Sequence, residues 1–224
     1  MELVREFCAE NFEKVPAAIA AGAGRVELCD NLAKGGTTPS AGVIGKTCAY
    51  AHAHNVPVMC MIRPRGGSFC YTDEELSMME LDIRTAVRLG ADGVVFGCTS
   101  RGPSIDWEAT RRLARETMAC AAEHGRALDI TFHMAFDELD ERAQEEGLPM
   151  LAQMGVTRVL THGGPAGSPI DANLGRLARL VACAERQSAP RILPGAGITH
   201  RNAVDVAGAL GVCEVHGTRI VDLP

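Results

Sequence analysis

Residues 56–97 read VPVMCMIRPRGGSFCYTDEELSMMELDIRTAVRLGADGVVFG. The run Val56–Ile62 has the length and apolar character of a buried strand, and the Pro and paired Gly that follow it break the pattern. Asp73–Leu89 is an amphipathic helical segment. It opens with DEEL, acidic residues that suit the positive end of a helix, and it stops at Gly90. Gly93–Gly97 is a second strand. Strand, helix and strand joined by short links demand a parallel pair with a crossover helix.

The same unit recurs on both sides. Strands are predicted at Leu3–Cys8, Arg25–Cys29, Leu128–Phe132, Thr157–Thr161, Arg191–Pro194 and Val212–His216, which brings the total to eight. Helices are predicted at Phe12–Ala21, Ser40–His54, Asp106–Glu123, Asp140–Met154, Asp171–Glu185 and His200–Leu210, making seven with Asp73–Leu89. The 224 residues divide into eight units of 28, a usable length for one strand and one helix. Eight such units favour a closed parallel (β/α)8 TIM-type barrel, one domain over 1–224. An open doubly wound sheet is the alternative, but its GxGxxG turn is replaced after the first strand by CAENFEK. Only GTRIVDLP follows His216, so the last helix is expected to be short or missing. The flank of the last and first strands then needs a cover, either the Ile220–Leu223 tail or a second copy in a homodimer.

Composition narrows the function classes. A net charge of −6 gives a nucleic-acid partner no electrostatic support. No apolar run reaches the roughly 18 residues of a membrane span, and MELVREFCAE lacks the features of a signal peptide. The nine cysteines are odd in number and form no CxxC pair, which fits reduced thiols in the cytoplasm. The three lysines are Lys14, Lys34 and Lys46, and none lies in a predicted strand, which disfavours Schiff-base chemistry. No organic cofactor is indicated.

In a barrel of this type the ligand site lies at the C-terminal ends of the strands. Period-2 alternation puts Glu6 with Cys8 on one face, Glu27 with Cys29, Thr131 with His133, and Glu214 with His216. Arg63 and Arg65 close the third strand, Asp137 follows the fifth, and Thr161 and His162 end the sixth. A charge on the outer face would be buried under helices without a partner, so these groups are expected to converge inside the barrel mouth. Glu27 and His133 form the leading acid–base pair, with Glu6, His216 and Asp137 as further catalytic candidates. Arg63, Arg65, Thr161, Gly195 and Gly197 are candidates for holding a phosphate or carboxylate. Cys8 and Cys29 occupy matching places on adjacent strands and could bind Cu(I), for which soft thiolates are suited. Met59, Cys60 and Met61 are read as core.

The segments RVELCDNLAKGGTTPS (25–40), MIRPRGGSFCYT (61–72), ITFHMAFD (130–137), GAGIT (195–199) and EVHG (214–217) together resemble the copper homeostasis protein CutC family along the whole chain. The resemblance implies a TIM-type barrel, a cytoplasmic location and Cu(I) binding, with Cys29 as the most commonly matched cysteine. By position it places the family's polar residues on Glu6, Glu27, Arg63, Arg65, His133, Asp137 and His216. Two departures touch the mouth. Met134 stands where family members commonly carry Arg in TFHRAFD, and THGG (161–164) lacks the Ser that often follows the Thr. Two functions follow as expectations: a Cu(I)-binding protein of copper homeostasis, or a metabolic enzyme acting on a small phosphorylated or carboxylated substrate.

Overall fold

The computed structural model describes residues 2–165 and 167–223. Eight parallel strands form one sheet: β1 Val4–Glu10, β2 Arg25–Cys29, β3 Val58–Met61, β4 Gly93–Phe96, β5 Asp129–Phe132, β6 Arg158–Thr161, β7 Arg191–Pro194 and β8 Glu214–Gly217. Seven α-helices alternate with them: α1 Val15–Ala20, α2 Ala41–His52, α3 Asp73–Arg88, α4 Trp107–Glu123, α5 Glu141–Gln153, α6 Ile170–Arg186 and α7 Ala203–Leu210. Single 3-10 turns at Leu32–Lys34 and Met134–Glu138 sit in the loops after β2 and β5.

The ladder runs β7-β6-β5-β4-β3-β2-β1-β8, a nearly closed (β/α)8 barrel with one unpaired seam between β7 and β8. Past the strand ends the seam is bridged by a parallel contact of Thr199 with Arg219, where the His200 N–H donates to the Arg219 carbonyl at 2.8 Å. A hollow of about 290 Å³ lies beside the seam, lined among others by Ala189, Ile192, Val212 and Glu214.

Helix starts follow their side-chain caps. Ser40, Thr72, Asp106 and Asp140 each accept a backbone N–H from the first turn, and Thr72 with Glu75 forms a reciprocal capping box. Two helices are shorter than expected. α1 begins only at Val15, with Pro16 in its first turn. α7 begins at Ala203 because the Asn202 side chain takes the Thr199 N–H at 2.7 Å, holding 199–202 as a turn. β1 continues to Glu10, two residues beyond the expected Cys8.

No helix follows β8 among the described residues. Ile220 and Val221 instead enter the core between barrel and helices, so the tail covers at least part of the flank left by the absent helix. The strand faces alternate as parallel burial requires. Phe7, Val26, Leu28, Val94, Phe96, Ile130, Phe132 and Val215 pack under the helices. Cys8, Cys29, Met59, Met61 and Val95 form a separate apolar cluster inside the barrel.

Candidate metal centre

The centre is built from the first two strands and the last. Register places Cys8 opposite Glu27 and Glu10 opposite Cys29 across β1 and β2. It places Glu6 opposite His216 across β1 and β8. The donor atoms of Cys8, Glu27 and Cys29 all lie within 4.8 Å of one another, and so do those of Glu6, Glu27 and His216. His216 Nδ1 hydrogen-bonds Glu6 Oε1 at 2.8 Å, and its Nε2 stands 3.7 Å from Glu27 Oε2. The Cys29 thiol donates to the same Glu27 oxygen at 3.5 Å. Arg25 grips Glu6 through its other oxygen.

The electrostatics separate these groups. Burial alone would raise the Glu6 carboxyl, but Arg25 and His216 outweigh it and hold it at about 2. The hydrogen bond with Cys29 outweighs burial at Cys8, and together with His216 it draws that thiol well below its ordinary range. Cys29, on the other side of that bond and buried, is pushed up. Burial and the Cys8 charge raise Glu27. Burial opposes charge on His216, yet Glu27, Cys8 and Glu6 together raise it. The site thus favours the anionic forms of Glu6 and Cys8 and the cationic form of His216, while Cys29 and Glu27 are pushed toward their protonated forms. Burial moves the thiols of Cys48, Cys60, Cys98 and Cys120 upward, opposite to Cys8.

Two thioethers adjoin the sulfurs. Met59 and Met61 face inward with Cys8 and Cys29, whereas Cys60 faces the helices. Met59, Cys60 and Met61 are all buried, as the core reading expects, but strand alternation divides them between the two faces. Gly36 lets the loop after β2 lie directly on the site, since a Cβ there would stand 3.2 Å from Cys29 Sγ.

The other expected site residues scatter. His133 is buried, its Nδ1 accepts the Ala135 N–H at 3.2 Å, and its ring packs at a tilt against Phe69. Burial first and the Arg63 charge second lower it to about 3, so it is a neutral imidazole. The expected Glu27–His133 pairing is corrected: Glu27 is partnered by His216 and the two cysteines. Gly97 provides the room for the His133 ring, for a Cβ there would lie 2.6 Å from Nδ1. Arg63 gives its two terminal nitrogens to the carbonyls of Lys34, Gly36 and Gly67 at 2.9, 2.9 and 2.8 Å, leaves its buried Nε without a partner, and lies over the Phe69 ring. Arg65 turns to Glu75 and to the carbonyls of Ser68 and Cys70. The two arginines expected to hold an anion are thus occupied by loop backbone and a helix cap.

Asp137 accepts from the Thr161 hydroxyl and from the His162 N–H at 2.9 Å, joining two loops, while burial raises its carboxyl. His162 reaches the Gly195 carbonyl at 3.2 Å. Gly195 lies against Leu160 and His216, and Gly197 is a positive-φ turn whose carbonyl accepts from Asn202. Glu214 sits at the opposite end of the barrel from the mouth. There it joins Arg25, Arg158 and Arg191, and Arg158 also pairs with Asp129. Those ion-pair partners were missed, although period 2 puts Arg25 on the face of Glu27.

Comparisons with known proteins agree with one another. The model of the CutC family matches residues 3–221. A CutC family protein of Enterococcus faecalis is 51% identical over 219 residues, covering 98% of this chain and 100% of that one. A CutC family protein of Vibrio vulnificus is 40% identical over 211 residues, covering 94% of this chain and 78% of its own length. The crystal structure of a Streptococcus agalactiae protein, called there a copper homeostasis protein CutC, superposes with a TM-score of 0.90 at 42% identity, covering 98% and 100% of the two chains. No helix among the described residues is long and apolar enough to cross a membrane.

Proposed function

Because the chain belongs to the CutC family, we propose that it is a Cu(I)-binding protein of copper homeostasis whose cargo ion is held between Cys8 and Cys29. One observation carries this reading: two sulfur atoms of adjacent strands within 4.8 Å of each other inside the barrel, next to two thioethers. Cu(I) is a soft ion that favours such donors over oxygen. The lowered Cys8 thiol supplies a ready anionic ligand. All nine cysteines are free, which suits a reducing compartment, and the cytoplasm is the proposed location.

The enzyme reading is the weaker one. An anionic substrate needs cationic groups that face it, and Arg63 and Arg65 are committed elsewhere. The test is an anaerobic Cu(I) titration of the reduced protein against a coloured chelator. One equivalent should be withdrawn from the chelator, and Cys8→Ser and Cys29→Ser should each lose stoichiometric binding. A wild-type protein that leaves the chelator fully loaded, or serine variants that bind as well, would overturn the assignment.

A further inference from the structure

Cys8 and Cys29 do not stand alone. Glu27 belongs to both donor triads and joins the sulfurs to His216. The His216 ring is fixed in the way metal-bound imidazoles usually are: one nitrogen is hydrogen-bonded to a carboxylate, Glu6, leaving the other aimed into the site. Glu6 is itself held by Arg25, so the ring has a rigid support. The second carboxylate oxygen of Glu27, Oε1, is buried without any hydrogen-bond partner. A buried carboxylate with an orphaned oxygen is a costly arrangement, and an ion would relieve it.

We propose that Cys8, Cys29, Glu27 and the Nε2 of His216 form one four-donor site for a divalent ion of borderline softness, of the zinc(II) class, overlapping the two-sulfur Cu(I) position. This rests on the copper reading only in sharing its two sulfurs. Two thiolates, an imidazole and a carboxylate are the ligand types zinc takes in tetrahedral sites, where donors stand about 3.3–3.8 Å apart. The Cys29–Glu27 and Glu27–His216 separations of 3.5 and 3.7 Å, both to Glu27 Oε2, fall in that range, and because the sulfurs and His216 lie in two donor groups that share Glu27, an ion would draw the two groups together. Cu(I) would use the sulfur half of the site, and a divalent ion would use all four donors. The same residues then discriminate by coordination number: a soft monovalent ion ignores His216 and Glu27, and a divalent ion depends on them.

Cobalt(II) is the spectroscopic probe for the reduced, metal-free full-length protein. One equivalent should produce the intense visible bands of a four-coordinate ion together with thiolate-to-cobalt charge transfer, and one equivalent of zinc(II) should abolish both. Glu27→Gln and His216→Gln should each weaken zinc(II) binding tenfold or more, and Glu27→Gln should change Cu(I) affinity less than threefold. Glu6→Gln should weaken zinc(II) by about 10- to 100-fold through loss of ring orientation. Thermal melts of each metal-free variant establish that it folds, and Glu27→Gln, which keeps the side-chain shape and breaks no arginine pair, serves if the others do not. Weak six-coordinate cobalt bands without charge transfer would overturn the proposal, as would unchanged zinc(II) affinity in folded Glu27→Gln. Cobalt(II) bound as described with no Cu(I) binding would leave this site standing and remove the copper function. Cu(I) bound without cobalt(II) would do the reverse.

Discussion

Cys8 and Cys60 are both buried on neighbouring parts of one barrel, and their chemistry is opposite. Cys60 faces the helices, where burial pushes its thiol up. Cys8 faces the lumen beside Cys29 and His216 and is drawn down. The alternation that separates them was legible in the sequence, as was the inward set Glu6, Glu27 and His216. Their pairing was not, because a closed barrel puts β8 beside β1 but a linear pattern does not give the register that sets Glu6 opposite His216. The same holds for His133, which read as a base because of its residue type and its place at a strand end. Its neutrality comes from burial and from Arg63, 70 positions away in sequence. Its folded value of about 3 lies below the ordinary 6.5. Between those values the unfolded chain takes up a proton that the folded protein refuses. The stability that His133 contributes is therefore complete above pH 6.5 and falls as the pH drops toward 3. In His133→Asn, whose Oδ1 can still accept from Ala135, urea midpoints should decline less steeply over that window, by an amount on the order of a few kcal/mol at its acid end. Parallel pH curves for the two proteins would refute this account.

At the level of elements, the loops after β2 and β3 behave as one assembly fastened by Arg63. The β2 loop closes its own neck through reciprocal bonds of Asp30 and Thr37 at 2.9 and 2.7 Å. Arg63 then takes two carbonyls from that loop and one from its own. Gly36, whose carbonyl is one of the three, lies over Cys29. The motif IRPRGG was legible as functional, but its arginines read as ligands for an anion, since backbone carbonyls folded back from another loop leave no trace in a local pattern. Loss of charged hydrogen bonds of this kind costs about 1.5–3 kcal/mol each. Arg63→Met should therefore lower stability measurably and speed the reaction of Cys29 with a disulfide reagent at least tenfold in the metal-free protein. Unchanged labelling kinetics in a folded variant would show that Arg63 does not hold the loop over the thiol.

The whole molecule is closed by hydrogen-bonded ladders everywhere except between β7 and β8. At the strand starts, charge spans that gap. Glu214 of β8 pairs with Arg191 of β7 at 3.1 Å and with Arg158 of β6 at 2.9 Å, and on the other side with Arg25 of β2 at 2.7 Å. Removing the acid shared by three arginines leaves the buried Arg25 with Glu6 alone and Arg158 with Asp129 alone, so Glu214→Gln should cost about 1.5–3 kcal/mol in urea unfolding. A loss below about 1 kcal/mol would mean that water already screens the cluster. The eightfold repeat was legible because each unit carries its own turn and cap residues. The seam was not, because β7 and β8 are consecutive strands and nothing local says that β8 pairs with β1 and leaves β7 unpaired on that side. The first two strands and the last also carry the proposed donors: Cys8, Glu27 and Cys29 are synthesised before His216, which follows Glu6 by 210 positions. Until His216 is made the two thiols exist without the imidazole, so a nascent chain would offer the proposed copper position before it could offer a divalent ion the proposed four-donor cage. Which of the two proposed sites is complete first would then be set by the order of translation.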